Sequence, residues 1–213
     1  AKEKKFDIAQ SIDDLLKDPI STVITMLPAG KNSKEVYLGE DGIINKVNKD
    51  CLLIDCSTID IKASVEIGTK ADEKEIKMID APVSGGVMGA KNATLTFLVG
   101  GTKDDFNQAK PILQTMGKNI FHAGEHGCGN GAKICNNLAL GISMIGASEA
   151  LMLAKRLNID IKKVHEIMKN ASGNSWPISV YPPLPGLKDG VPSNNKYRPG
   201  FSAGMMSKDL KLA

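Results

Sequence analysis

The stretch that decides the fold runs Ile76-Lys77-Met78-Ile79-Asp80-Ala81-Pro82-Val83-Ser84-Gly85-Gly86, a short apolar run that stops at an acid and empties into a loop of proline and glycines. Such a run, bounded by turn residues, reads as a buried strand. The same unit repeats on either side. Upstream, Thr22-Val23-Ile24-Thr25-Met26 is β-branched and stops at Leu27-Pro28, Lys31 to Leu38 reads as a short helix, and Leu52-Leu53-Ile54-Asp55 is a second strand. Thr58 or Asp60 can cap the next helix, through about Lys70. Downstream, Leu95 to Val99 and Asn119 to His122 read as strands flanking a helix from Thr102 to Met116, with Asp104 and Asp105 in its first turn, where the helix dipole favours acids. Strands alternating with helices predict a parallel sheet.

After His122 the pattern changes. A glycine-rich turn, Gly124 to Gly131, leads into a long helix to about Leu157, and no strand signal recurs. Asn158-Ile159-Asp160 caps another helix to about Lys169, a proline- and glycine-rich loop covers Pro177 to Gly200, and Met205 to Leu210 begins a further helix. The reading is α/β: a partial Rossmann-like parallel sheet domain over residues 1–123, whose first strand–helix unit either lies upstream or has been lost. An all-α domain over 124–213, C-terminally incomplete, follows it, joined by a long interdomain helix.

Composition narrows the function. The 213 residues carry 27 Lys plus Arg against 24 Asp plus Glu, a net +3, with 42% hydrophobic and only 4% aromatic. That is ordinary globular composition without the basic stripe and stacking platforms of a nucleic-acid binder, so small-molecule chemistry is favoured. The four cysteines form no C-x-x-C pair, which suits a reducing compartment. Ala1-Lys2-Glu3-Lys4-Lys5 reads as solvated charge rather than a targeting helix. Ile134 to Ala154 is long enough to cross a bilayer, but it contains Asn136, Asn137 and Glu149 and reads as a helix buried in protein.

Two constellations carry chemistry. Ser84-Gly85-Gly86 puts a hydroxyl and two side-chain-free amides at the carboxyl end of a strand, where open sheets bind ligands. They can hold a small carboxylate, or simply make a tight turn. Lys133 and Asn137, four apart, share one helix face. The lysine is either a snorkelling surface charge or, if desolvated, an amine able to accept a proton from an alcohol, with Asn137 fixing hydroxyl or carboxylate one turn away. The G-x-G-x-x-G fingerprint is absent, so Gly124 to Gly131 reads as a flexible interdomain turn in preference to a phosphate cradle. His122, His126 and Cys128 have no fourth ligand at metal-site spacing. His165, among Lys162, Lys163 and Glu166, reads as surface; Met144, Met152, Met168, Met205 and Met206 read as core filler; Trp176 walls a pocket or packs under the loop after it.

Together, Asp80-Ala-Pro-Val-Ser-Gly-Gly86, Gly129-Asn-Gly-Ala-Lys133-Ile-Cys-Asn-Asn137, and Val191-Pro-Ser-Asn-Asn195 ahead of Met206-Ser-Lys208-Asp-Leu210 closely resemble the 3-hydroxyisobutyrate branch of the β-hydroxyacid dehydrogenases, over essentially the whole chain. The Ser-Gly-Gly and Lys-x-x-x-Asn patterns mark the superfamily; the loop Tyr181 to Pro192 marks the branch. The resemblance implies oxidation of 3-hydroxyisobutyrate to methylmalonate semialdehyde with NAD, as in valine breakdown. It implies Lys133 as catalytic acid/base, Asn137 orienting substrate, and Ser84, Gly85 and Gly86 holding the substrate carboxylate. Leu27, Pro28, Asn32 and Thr58 match segments lining the nicotinamide-side cofactor pocket, and Lys208 matches a late lysine reaching cofactor and active site. It further implies a homo-oligomer and, in eukaryotes, the mitochondrial matrix. Asn174 stands where a basic residue is expected. The alternatives are a non-catalytic binding or oligomerisation module of the same fold, and a tartronate semialdehyde reductase-like enzyme. No nucleic-acid, membrane or metal partner is expected.

Overall fold

A computed structural model describes residues 6–198 and 200–213; the charged start Ala1 to Lys5 lies outside the described residues. The chain divides into two compact units, 1–133 and 134–213.

In the first unit, β1 (Thr22–Thr25), β2 (Leu52–Asp55) and β3 (Lys77–Asp80) run parallel and in register, so Thr25, Asp55 and Asp80 stand side by side at their carboxyl ends. Beyond Asp80 the chain leaves β2 and continues as β4 (Val83–Ser84) along β5 (Leu95–Gly100). Both β3 and β4 pair antiparallel with β5, while β6 (Gly117–Gly124) pairs parallel with it. The parallel sheet expected from the strand–helix alternation is therefore present, with one reversed junction. Residues 85–94 form too short a connection for the crossover of a dozen or more residues that a parallel return requires; they hold only α4, Gly86–Lys91.

Alternation along the strands feeds two cores. Val23, Leu53 and Met78 pack with Tyr37 of α2 (Gly30–Leu38) and Ala63 and Ile67 of α3 (Ile61–Glu73). Leu52, Ile54, Ile79, Phe97 and Val99 pack with Phe106, Ala109 and Leu113 of α5 (Lys103–Gln114). Each fully buried Leu, Ile or Phe contributes roughly 1.5–3 kcal/mol. Between the two offered caps for α3 the structure selects Asp60, whose carboxylate accepts from the Ala63 N–H; Thr102 caps α5 in the same way. A single turn, α1 (Ile12–Leu15), capped by Ser11, was not legible from periodicity.

Helix α6 (Cys128–Arg156) begins earlier than the glycines suggest: Gly129 and Gly131 lie inside it, Gly124 ends β6, and only Glu125 to Gly127 form the turn. In the second unit, Ala147, Leu151 and Ile178 form a small core with Met168 of α7 (Ile161–Asn170), which Asp160 caps. Within the loop expected from Pro177 onward lies one helical turn, α8 (Trp176–Ser179); α9 (Ala203–Leu210) is capped by Ser202.

Three expectations are corrected here. His165 is buried, not surface, because its ring N–H reaches the Ile178 carbonyl at 2.8 Å. Met152 and Met205 are exposed rather than core. Trp176, by contrast, packs against the loop after it as one of its two expectations had it: half exposed, it stacks on Tyr181, centroids 5.0 Å apart. Helix α6, expected to be buried, is long and apolar enough to cross a membrane, and only 28% of its most apolar window is buried.

Candidate active site

The carboxyl ends of β1 and β2 are tied together by one buried acid. Tyr37 donates to Thr25 Oγ1 at 2.6 Å and Thr25 donates to Asp55 Oδ1 at 2.9 Å; the Ser57 N–H donates to the same oxygen at 3.0 Å, and the Ser57 hydroxyl also bonds it. The Leu27 N–H donates to Ser57 Oγ at 2.7 Å. Leu27-Pro28 and Ser57-Thr58 are thus cross-linked into one lip, with Pro28 exposed and Leu27, Asn32 and Thr58 half-buried.

The next strand end receives α6. Asp80, buried, accepts from the Gly127 N–H on Oδ1 and the Asn130 N–H on Oδ2, both at 2.8 Å. Burial pushes its carboxyl above the usual range, opposed by those two N–H donors and by nearby His126. The Asn130 side chain accepts from the Ile59 N–H at 3.0 Å and donates to Ser64 Oγ at 3.3 Å. Helix and strand approach so closely that a Cβ on Gly129 would sit 2.4 Å from the Leu98 carbonyl oxygen, and one on Gly100 2.4 Å from Asp80 Oδ1. These glycines are needed for space rather than as helix breakers. One turn beyond Asn130 stands Lys133, only 7% exposed. At that exposure it is not a snorkelling surface charge.

Asn137, the next turn of the same helix, is buried and donates to Asp209 Oδ2 of α9 at 2.6 Å. The other Asp209 oxygen lies 3.1 Å from the Lys208 ammonium. Asp209 therefore holds two of the expected site residues at once. Sequence reasoning passed over it; the visible signal was an acid directly beside the late lysine.

Ser84 is half-buried opposite Thr96 on β5, four residues past Asp80, roughly 13 Å at about 3.3 Å per residue. Gly85 (φ 130°) and Gly86 (φ 61°) adopt positive φ, and a Cβ on Gly86 would meet nothing within 4 Å, so the loop opens onto space. The histidines near the turn have separate tasks: His122 donates to the Gly101 carbonyl at 2.8 Å, and His126 to the Asp72 carboxylate at 3.2 Å. Asn174 is exposed and bonded to Ser179 at 2.5 Å.

Comparison with known proteins supplies the context. Residues 1–124 match the model of the NAD binding domain of 6-phosphogluconate dehydrogenase, and residues 127–213 that of the NAD-binding domain of NADP-dependent 3-hydroxyisobutyrate dehydrogenase. The chain is 46% identical over 207 residues to 3-hydroxyisobutyrate dehydrogenase of Pseudomonas aeruginosa, covering 96% of this chain and 70% of that protein. The chain belongs to the 3-hydroxyisobutyrate dehydrogenase family. It is also 45% identical to the mitochondrial enzyme of Rattus norvegicus, covering the whole of this chain and 63% of that one. Among solved structures, the Mycobacterium tuberculosis 3-hydroxyisobutyrate dehydrogenase with L-serine superposes with a TM-score of 0.84 at 38% identity, over 90% of this chain and 65% of that one. The chain thus spans about two thirds of the length of these family members.

The residues present at these strand ends fit a dinucleotide. The lip of Leu27, Pro28 and Thr58 offers an apolar wall and a hydroxyl at the carboxyl ends of adjacent parallel strands, the position where such sheets take nucleotides.

Proposed function

We propose that this chain carries the catalytic groups of an NAD-dependent dehydrogenase that oxidises the primary alcohol of a small 3-hydroxy acid, 3-hydroxyisobutyrate, to methylmalonate semialdehyde, as in valine catabolism. The observation that carries the reading is the buried amine of Lys133, on a helix docked to the carboxyl edge of the sheet, one turn from Asn137. Lys133 in its neutral form takes the hydroxyl proton as the carbinol C–H bond breaks, and the C–O bond becomes the aldehyde carbonyl. The chemistry supplied by bound NAD is acceptance of that hydride. Asn137, its amide set by Asp209, orients the hydroxyl; Ser84, Gly85 and Gly86 hold the substrate carboxylate. Leu27, Pro28, Asn32, Thr58 and Lys208 hold the cofactor.

In this reading residues 1–123 form the dinucleotide-binding domain and 124–213 the helical substrate and oligomerisation domain. The protein acts as a homo-oligomer without a membrane or nucleic-acid partner, and in a eukaryotic source it resides in the mitochondrial matrix, as the rat relative's name suggests. Light scattering tests the assembly, and fractionation the compartment. The L-serine named with the M. tuberculosis structure supports a second substrate, because serine is itself a 3-hydroxy acid. The deciding experiment is Lys133→Ala in the intact protein: turnover should fall by at least about 10³-fold with substrate KM nearly unchanged. Retained turnover eliminates the base. Calorimetry with NAD tests the cofactor assignment directly, and the ratio of kcat/KM for 3-hydroxyisobutyrate and L-serine tests the substrate.

A further inference from the structure

We propose that Asp80 and Asn130 are positioning residues for proton transfer, locking the first turn of α6 so that Lys133 meets the alcohol in one orientation. The inference rests on the reading of Lys133 as acid/base.

The first N–H groups of a helix have no partner within it. Here Asp80 takes two N–H groups at the start of α6, one on each oxygen, both at 2.8 Å. A carboxylate at this end also matches the positive end of the helix dipole, and bonds to an ionised acceptor are about twice as strong as neutral ones. With both oxygens engaged and the side chain 3% exposed, Asp80 is an anchor and not a second base. It stands at a fixed place, since β3 is in register with β2 and Asp80 pairs with Gly100.

One anchor fixes where a helix starts but leaves rotation about its axis. Asn130 removes that freedom. Its backbone N–H binds Asp80, its side-chain oxygen takes the Ile59 N–H ahead of α3, and its side-chain nitrogen reaches Ser64 inside α3. The turn is held at β3, at the β2–α3 connection and at α3 itself, and the Gly100–Gly129 contact leaves no room to shift inward. Lys133 is three residues on, about 4.5 Å of helix rise, so any slip of the first turn passes to its amine almost undiminished. A misplacement of about 1 Å at a reacting group can cost on the order of 10²-fold in rate.

The test uses Asp80→Asn and Asn130→Ala in the intact protein. Asparagine keeps the shape of Asp80 but turns an NH2 toward one of the two N–H donors. Each variant should lower kcat by about 10- to 100-fold, while calorimetry shows undiminished NAD stoichiometry and a dissociation constant within about threefold of the parent. Loss of NAD stoichiometry in parallel with kcat would mean general structural damage and overturns the proposal; so does an unchanged kcat in a folded variant. If Asp80→Asn does not fold, Asn130→Ala, which leaves both Asp80 bonds to backbone in place, decides by the same criteria. Full turnover in Lys133→Ala would instead overturn the lysine reading, and the proposal with it, whereas an inactive Lys133→Ala beside a fully active Asp80→Asn overturns the positioning role alone.

Discussion

Gly68 shows how a single hydrogen can be chosen for space. A glycine inside a helix costs about 1 kcal/mol against alanine, yet a Cβ on Gly68 would fall 2.3 Å from the His126 ring. Gly68→Ala is therefore expected to lower stability by displacing that ring from Asp72, while the same change in a His126→Ala background raises it by about 1 kcal/mol; denaturant unfolding of the three variants checks both signs. Lys133 teaches a related lesson. Its spacing from Asn137 was legible in the sequence, but its burial was not, because nothing in a string of letters reports which face of a helix meets the sheet. His165 failed for the converse reason: charged neighbours suggested a wet surface, and the carbonyl it reaches is 13 positions away. Asp209→Ala should free the Asn137 amide and raise the hydroxy-acid KM by about tenfold, the loss of roughly 1.4 kcal/mol, with NAD binding measured in parallel.

Among elements, the main strands and the caps at Asp60 and Asp160 were readable because short apolar runs bounded by turn residues and capping chemistry are local. The start of α6 was not. Gly129 and Gly131 looked like punctuation, and the acid that makes a helical start favourable there lies some 50 residues upstream. The Ser84-Gly85-Gly86 loop was legible as a strand end with free amides, whereas the reversal of β5 that follows it shows only in the pairing. The lip formed by the β1 and β2 ends invites a test at the same scale. Ser57→Ala removes the acceptor for the Leu27 N–H, a bond worth about 0.5–1.5 kcal/mol, and should weaken NAD binding about 3- to 10-fold by calorimetry with the substrate KM unchanged.

For the molecule as a whole, the buried sheet imposes an alkaline limit. Burial pushes the Cys56 thiol up to about 12, aided by neighbouring Asp55, and raises Cys51 and Tyr37 as well. Unfolded thiols ionise near their ordinary values, so the unfolded chain loses protons first. The stabilisation is complete below about pH 8.5–9 and declines as pH rises toward the folded value, by up to about 1.4 kcal/mol per pH unit for one group. Urea unfolding from pH 8 to 11 should show this decline, and Cys56→Ala should make it shallower. In a timed alkylation near pH 8, exposed Cys128 and Cys135 should be labelled and Cys51 and Cys56 spared, as read by mass spectrometry. Finally, Lys133 and Asn137 ride on a single unbroken rod of 29 residues. The separation of their backbones is therefore set by helical pitch, whereas the direction of the Asn137 amide depends on the carboxylate of Asp209.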